Sequence, residues 1–161
     1  MRALDPGEWP IAIMPLHGDL ASARAEVHAR SFPAPWSAAD LRRLAEAPQC
    51  FGVAAAWGGT LAGFIIVSAA ADEAEIITLA VDELWRRRGI GRLLLDAALT
   101  EAATRGATAM LLEVGVTNAA AQELYARAGF RIVGRRRKYY RGPGGAEDAL
   151  IMRCELTGGS A

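Results

Sequence analysis

The sequence predicts a mixed α/β fold that forms a single domain over residues 1–161, and two features of the chain indicate it. Short runs rich in Ile, Val and Leu, bounded by glycine or charged residues, have the length of β-strands. Segments with apolar residues at helical spacing alternate with these runs, an order typical of layered α/β proteins. With 161 residues, of which 52% are hydrophobic, the chain can bury a sizeable core without disulfides or metals.

The predicted element boundaries follow from glycine, proline and helix-capping residues. Strands are predicted over residues 11–15, 50–57, 60–69, 75–81, 108–114, 130–133 and 149–154. Helices are predicted over residues 17–31, 38–46, 90–105 and 118–128, the second of them capped by Ser37. Gly58 and Gly59 predict a hairpin turn, and a basic, then glycine-rich loop is predicted to join the last two strands.

Charge and cysteine usage exclude several kinds of partner. The chain has 18 Lys and Arg residues and 18 Asp and Glu residues, so no net field draws it to nucleic acid or to a membrane surface. We find no signal peptide and no apolar run of membrane-spanning length, so a cytoplasmic protein is expected. Cys50 and Cys154 stand outside any C-x-x-C pair, which predicts two buried or semi-buried thiols and no disulfide or metal site.

The segment Arg86-Arg87-Arg88-Gly89-Ile90-Gly91-Arg92 lies between a predicted strand and a predicted helix. Glycines at a helix entrance let backbone N–H groups approach a ligand, and the helix N-terminus carries partial positive charge. With the flanking arginines, this pattern indicates a cradle for a phosphate or pyrophosphate. For an isolated G-x-G, however, a glycine turn with solvated arginines is the more common outcome, and no full nucleotide-binding motif is present.

A possible acid–base pair follows in the next strand and helix. Glu113 is the single charge in an apolar strand, where a carboxylate needs either a partner or a chemical role. Asn118 can cap the following helix, and Tyr125, two turns later, brings a phenol. The alternatives are an edge-strand glutamate that faces water and a core tyrosine with a solvated hydroxyl.

These residues carry a resemblance to a known family. The pattern R-x-x-G-x-G at Arg86, Gly89 and Gly91 resembles the acetyl-CoA loop of the GNAT N-acetyltransferase superfamily. From residue 80 to residue 152 the likeness is closer, and it is to the RimI-type branch of bacterial ribosomal-protein-alanine N-acetyltransferases. Its segments are Leu112-Glu113-Val114, Asn118-Ala119-Ala120-Ala121, Leu124-Tyr125, Gly129-Phe130, Arg136-Arg137-Lys138-Tyr139-Tyr140 and Glu147-Asp148-Ala149, with an F-P-W-S-like segment at residues 32–37.

The resemblance implies a GNAT-like mixed sheet with helices on both faces, and acetyl-CoA as cosubstrate. It implies that Glu113 is the general base and Tyr125 the general acid, with the acceptor amine attacking the thioester directly. The acceptor would be a protein N-terminus, the alanine of a ribosomal protein, held by Trp36, Glu113, Tyr139 and Tyr140. The cofactor would be contacted by Leu79, Ala80, Val81, Arg86, Arg87, Arg88, Gly89, Ile90, Gly91, Arg92, Asn118 and Tyr125.

The sequence leaves the acceptor open. It departs from the branch at Gly115, at Ala146 and in the inserted Ala34-Pro35, all in regions that the resemblance assigns to the acceptor site. A small-molecule or lysine amine is one alternative acceptor, and a non-catalytic acetyl-CoA-binding module is another possible function. The basic residues 135–141 are interpreted as a loop and not as a nucleic-acid site. The resemblance implies that the tyrosines of this loop help to wall the acceptor site. The alternative is a solvated basic loop, and Glu147 and Asp148 are possible partners of its arginines.

Overall fold

The computed structural model describes residues 11–16, 37–57, 60–142 and 145–156. Its strands form one seven-stranded sheet in the order β1-β2-β3-β4-β5-β7-β6. The strands are β1 (Ala12–Pro15), β2 (Cys50–Trp57), β3 (Thr60–Ala70), β4 (Glu73–Val81), β5 (Ala109–Gly115), β6 (Arg131–Gly142) and β7 (Gly145–Glu155). The helices are α1 (Ala38–Glu46), α2 (Ile90–Thr104) and α3 (Ala119–Arg127), with a 3₁₀ turn at Glu83–Trp85.

Most of the predicted elements are confirmed to within a few residues. The β2–β3 hairpin closes with Trp57 opposite Thr60, as the two glycines between them predict, although that turn itself lies outside the described residues. Ser37 caps α1 by accepting a hydrogen bond from the Asp40 N–H at 3.1 Å. The predicted helix over residues 17–31 lies outside the described part of the chain.

The predicted loop between the last two strands is wrong. Residues 134–142 continue β6 and residues 145–148 begin β7, so the two strands form a long antiparallel hairpin. The basic residues are compatible with a strand because they find partners across it: the Arg135 Nε lies 2.6 Å from the Asp148 carboxylate. A register shift between Arg136 and Tyr140 interrupts the ladder where the sequence is most basic.

The sheet is covered on both faces, as the resemblance predicts. On one face, a large buried cluster joins the sheet to α2 and α3 through Leu94, Leu95, Ala98 and Tyr125. On the other face, a smaller cluster around Phe64 packs against Leu41 of α1. No helix in the described ranges is long and apolar enough to cross a membrane.

Both cysteines are buried, as predicted. Loss of hydration on burial raises the pKa of the Cys50 thiol, although a hydrogen bond with Ser68 opposes the shift. Burial also raises the pKa of the Cys154 thiol, and the nearby Glu155 carboxylate adds to that effect. A raised thiol pKa lowers the thiolate fraction, so neither cysteine has the character of a nucleophile.

Candidate active site

The split between β4 and β5 is the candidate active site. These parallel strands pair only from Glu73 with Ala109 to Glu75 with Leu111. Beyond that point, β4 continues beside β3 and β5 continues beside β7, with no further β4–β5 pairing in the described residues. Both strands then lead into a turn and a helix N-terminus at the same end of the sheet. Ligands of α/β proteins bind in such crevices at the carboxyl ends of strands.

The backbone between β4 and α2 is shaped for an anion. Arg87 and Gly89 have φ of 62° and 77°, and for arginine this left-handed conformation is uncommon and strained. Gly89, the N-cap of α2, makes no side-chain capping bond, and within the described chain no acidic residue stands in the first turn of that helix. The first N–H groups of α2 are therefore unpaired within the helix, and together with its dipole they favour an anion.

The arginines before α2 differ in what they contact. Arg86 Nε donates to the Val81 carbonyl at 3.1 Å, which ties the loop back to the end of β4. The Arg88 guanidinium lies 5.5 Å from the centre of the buried Trp85 ring, within cation–π range. Arg87 is exposed and has no hydrogen bond or ion pair with the described residues, so its guanidinium is available to a bound anion.

A second set of contacts joins α2 to α3 beside the loop. Arg92 Nη1 donates to the Arg127 carbonyl at 3.1 Å, while its Nε pairs with Asp96 at 2.9 Å. A Cβ at Gly91 would come within 3.3 Å of Leu124, so the absent side chain lets the two helices approach closely. Gly91 thus serves helix packing, a role that the sequence pattern alone did not indicate.

Glu113 lies on the β5 wall of the split. Its neighbours Leu112 and Val114 are buried in the cluster under α2, so the alternation of the strand turns Glu113 to the opposite face. Glu113 Oε1 accepts a hydrogen bond from Arg136 Nη1 at 2.7 Å. The glutamate side chain is 24% exposed and the arginine 50%, so the pair is half-buried at the rim of the split.

This ion pair was missed by sequence reasoning. The sequence predicts a loop for the arginines of β6 and offers Glu147 and Asp148 of β7 as possible partners, and the structure pairs Arg135 with Asp148. Arg136 instead reaches a residue 23 positions earlier on β5. Arg136 belongs to a segment that resembles the family, which is a signal that the residue has a role. Its partner, Glu113, depends on the order of the strands in the sheet, and the segment does not encode that order.

The turn from β5 to α3 is fixed by two amide side chains. Asn118 Oδ1 accepts a hydrogen bond from the Ala121 N–H at 3.2 Å, which confirms the predicted N-cap. Gln122 Nε2 donates to the Gly115 and Val116 carbonyls at 3.1 and 2.9 Å. Sequence reasoning missed Gln122, because its bonds run to carbonyls six and seven positions earlier and no local capping pattern includes them.

Two acidic residues of β7 hold the same turn from the other side. Glu147 accepts hydrogen bonds from both the backbone N–H and the hydroxyl of Thr117. The Asp148 carbonyl accepts a bond from the Val116 N–H at 3.0 Å. The antiparallel register of β5 and β7 sets Glu147 against the β5–α3 turn, whereas Asp148 pairs with Arg135 of the basic segment.

Tyr125, the predicted general acid, is a buried residue of α3. It is 8% exposed, and its ring packs edge-on against the ring of Phe130, with 5.7 Å between the ring centres.

The predicted acceptor residues are only partly described. Tyr139 and Tyr140 lie in β6, where the backbone alone is described, and Tyr140 is opposite Glu147. Trp36 and the Ala34-Pro35 insertion lie outside the described residues. Among those described, no three His, Cys, Asp or Glu side chains are grouped to hold a metal ion.

Replacing Gln122 by glutamate tests how the β5–α3 turn is held. The carboxylate of Gln122→Glu cannot donate to the two carbonyls, so we expect the free energy of unfolding to fall by about 1–3 kcal/mol. Glu123→Gln is the matched control, because that exposed side chain only pairs with Arg127 and should change stability by less than about 1 kcal/mol. Equal losses in urea denaturation of the two variants would show that the Gln122 bonds do not hold the turn.

Comparison with known proteins agrees with this geometry. The chain is 45% identical over 97 residues to the [ribosomal protein bS18]-alanine N-acetyltransferase of Salmonella typhimurium, a match that covers 60% of this chain and 66% of that protein. It is 39% identical over 150 residues to the N-alpha-acetyltransferase RimI of Mycobacterium tuberculosis, covering 89% and 92%.

Structural comparison gives the same result. The fold is similar to the crystal structure of the ribosomal-protein-S18-alanine N-acetyltransferase from Escherichia coli, with a TM-score of 0.85 and 32% identity over 91% of this chain and 94% of that one. The profile of the Acetyltransferase (GNAT) family matches residues 22–130, which include the α2 loop, β5 with Glu113, and Tyr125. The chain therefore belongs to the GNAT family of acetyltransferases.

Proposed function

We propose that this chain transfers the acetyl group of acetyl-CoA to the α-amino group of a protein N-terminus. The observation that carries the proposal is the β4–β5 split, which has an uncapped helix N-terminus at its end and a carboxylate on one wall. The names of the relatives from Salmonella and Mycobacterium support an N-terminal acceptor, and the first of them supports the alanine of a ribosomal protein. With that acceptor, the reaction would take place in the cytoplasm.

The residues present fit acetyl-CoA. The pyrophosphate needs convergent N–H groups and positive charge, which the backbone of residues 87–92 and the exposed Arg87 supply. The pantetheine arm carries amides, and the edge of β4 over residues 79–81, which has no β5 partner, offers backbone groups to bond them. Asn118 lies at the N-terminus of α3, which follows the other wall of the split.

The chemistry that acetyl-CoA supplies is an activated acetyl thioester. In the proposed mechanism, Glu113 accepts a proton from the acceptor's ammonium group, and Arg136 holds the carboxylate in place through Oε1. A backbone N–H of β4 near Val81 stabilises negative charge on the carbonyl oxygen. Tyr125 donates the proton that the leaving sulfur requires. Its ring is buried and packs edge-on against Phe130, which restricts the movement of the side chain.

An α-amino acceptor suits a single carboxylate base. A protein N-terminus has a reference pKa of about 7.7–8.0, whereas the lysine side chain has one of about 10.4. Deprotonating lysine at neutral pH therefore costs more free energy, by roughly 3 kcal/mol at 1.36 kcal/mol per pKa unit.

The direct test is mass spectrometry of peptides incubated with the protein and acetyl-CoA. One peptide begins with the alanine of a ribosomal protein, a second is the same peptide with its α-amine blocked, and a third offers lysine alone. We expect acetylation of the free N-terminus only, with kcat/KM falling by about 10²–10⁴-fold in Glu113→Gln, the usual contribution of a general base. Glu123→Gln, on the exposed face of α3, is the control and should keep full activity.

Other outcomes of this assay would change the proposal. Acetylation of the lysine peptide alone would replace the N-terminal acceptor by a side-chain amine. If no peptide is acetylated while acetyl-CoA still binds, the acceptor is a different small amine or the chain is a binding module. Full activity of Glu113→Gln would exclude Glu113 as the base.

A glycine pair at the two ends of α2 tests the cofactor loop. Gly89 and Gly106 both have positive φ, at 77° and 96°. At each position, a Cβ atom added to the glycine would have no other atom within 4 Å. Alanine at either position should therefore lower the free energy of unfolding by a similar amount, about 1–2 kcal/mol. Only Gly89→Ala should also weaken coenzyme A binding, by about tenfold in calorimetry, roughly the effect of losing one hydrogen bond. Equal coenzyme A affinities in the two variants would contradict this role of the loop.

A further inference from the structure

Thr78 on β4 carries a buried hydroxyl that the proposed mechanism does not use. The residue is 6% exposed. Within the described chain its Oγ1 is the buried side-chain oxygen that lacks a hydrogen-bond partner. Folded proteins pair nearly all buried polar atoms, because an unpaired one loses its hydration without compensation. A hydroxyl kept in this state at the edge of an active site indicates a partner that arrives with the substrate.

A β-bulge sets the direction of the Thr78 side chain. β3 and β4 pair with Ile66 opposite Thr78 and Val67 opposite Ile76, so Ile77 is the additional residue. Ile66 belongs to the smaller buried cluster, with Phe64 and Ala80, on the face of the sheet covered by α1. Because directly opposed residues of paired strands share a face, Thr78 points to the α1 face as well.

Glu113 points to the same face from the other wall of the split. Leu112 and Val114 face α2, so the intervening Glu113 side chain lies on the α1 face. From the last β4–β5 pair, Glu75 with Leu111, Glu113 is two residues along β5. Thr78 is three residues beyond Glu75 on β4, but the bulge at Ile77 adds one residue without extending the strand. The Thr78 and Glu113 side chains therefore lie at similar distances along the strands, on opposite walls of the split.

We propose that Thr78 Oγ1 accepts a hydrogen bond from the amino group of the acceptor and so positions it for attack. This inference rests on the proposed function, since it takes the β4–β5 split as the site of acetyl transfer. A neutral primary amine has two N–H donors and one lone pair. When one N–H is bonded to the threonine hydroxyl, rotation about the C–N bond is restricted and the lone pair can be held toward the thioester. Thr78 would then be a residue that touches the acceptor, beside the base on the facing wall.

The alternative is that Thr78 is only a β-branched residue that fills a strand position, and Thr78→Val separates the two. Valine has the same shape without the hydroxyl. We expect Thr78→Val to keep or raise the melting temperature, because it removes an unpaired buried oxygen. Its kcat/KM for the acceptor should fall by about tenfold or more, as expected for a lost substrate hydrogen bond, while coenzyme A affinity is unchanged. Thr78→Ser, which retains the hydroxyl, should keep most of the activity.

Three outcomes would overturn the inference. A lower melting temperature for Thr78→Val would show that the hydroxyl has a structural partner in the free protein, and this readout needs no substrate. Unchanged kcat/KM in Thr78→Val, or an equal loss in the valine and serine variants, would show that the hydroxyl does not contact the acceptor. If the wild-type protein acetylates lysine and not the N-terminus, the proposed function fails. The same comparison of variants on the lysine peptide still decides the role of Thr78.

Discussion

The structure depends on the early end of hydrogen bonding between β4 and β5. Two constraints impose it: β5 is paired with β7 along its whole length, and the bulge at Ile77 bends β4 while it stays paired with β3. A bulge strengthens the local twist of its strand, so β4 turns away from a neighbour that is held elsewhere. The gap that results exposes a backbone edge inside the sheet and places two helix N-termini at one opening.

The far side of that opening is held by polar contacts in addition to the apolar packing of β5 and α3. Gln122, Glu147 and the Asp148 carbonyl all bond the short turn between β5 and α3. Arg136 reaches across from β6 to Glu113. Each of these bonds is worth little alone, but together they fix a turn whose backbone would otherwise be free to move. The matches to the family in this part of the sequence thus have a structural explanation beside the proposed chemical one.

Features encoded by neighbouring residues could be predicted from the sequence, and features that depend on strand order could not. The Asn118 cap, the glycine-glycine hairpin and the α2 entrance each depend on a few adjacent residues, and each is found. The segment between the last two predicted strands is expected to be a loop because it is basic and then glycine-rich, and its strand pairing comes from partners such as Asp148 across the sheet. The Arg136–Glu113 pair and the direction of Thr78 require the register, which no local pattern contains.

Amide hydrogen exchange with and without acetyl-CoA tests the central claim most directly, because it reports on the backbone of the split. We expect saturating acetyl-CoA to slow the exchange of amides in residues 79–81 and 87–92, which belong to the open edge of β4 and the loop before α2. Amides of β6 over residues 131–136 should exchange at the same rate in both states. Protection confined to another part of the sheet, or none at either segment, would contradict the assignment of the split as the cofactor site.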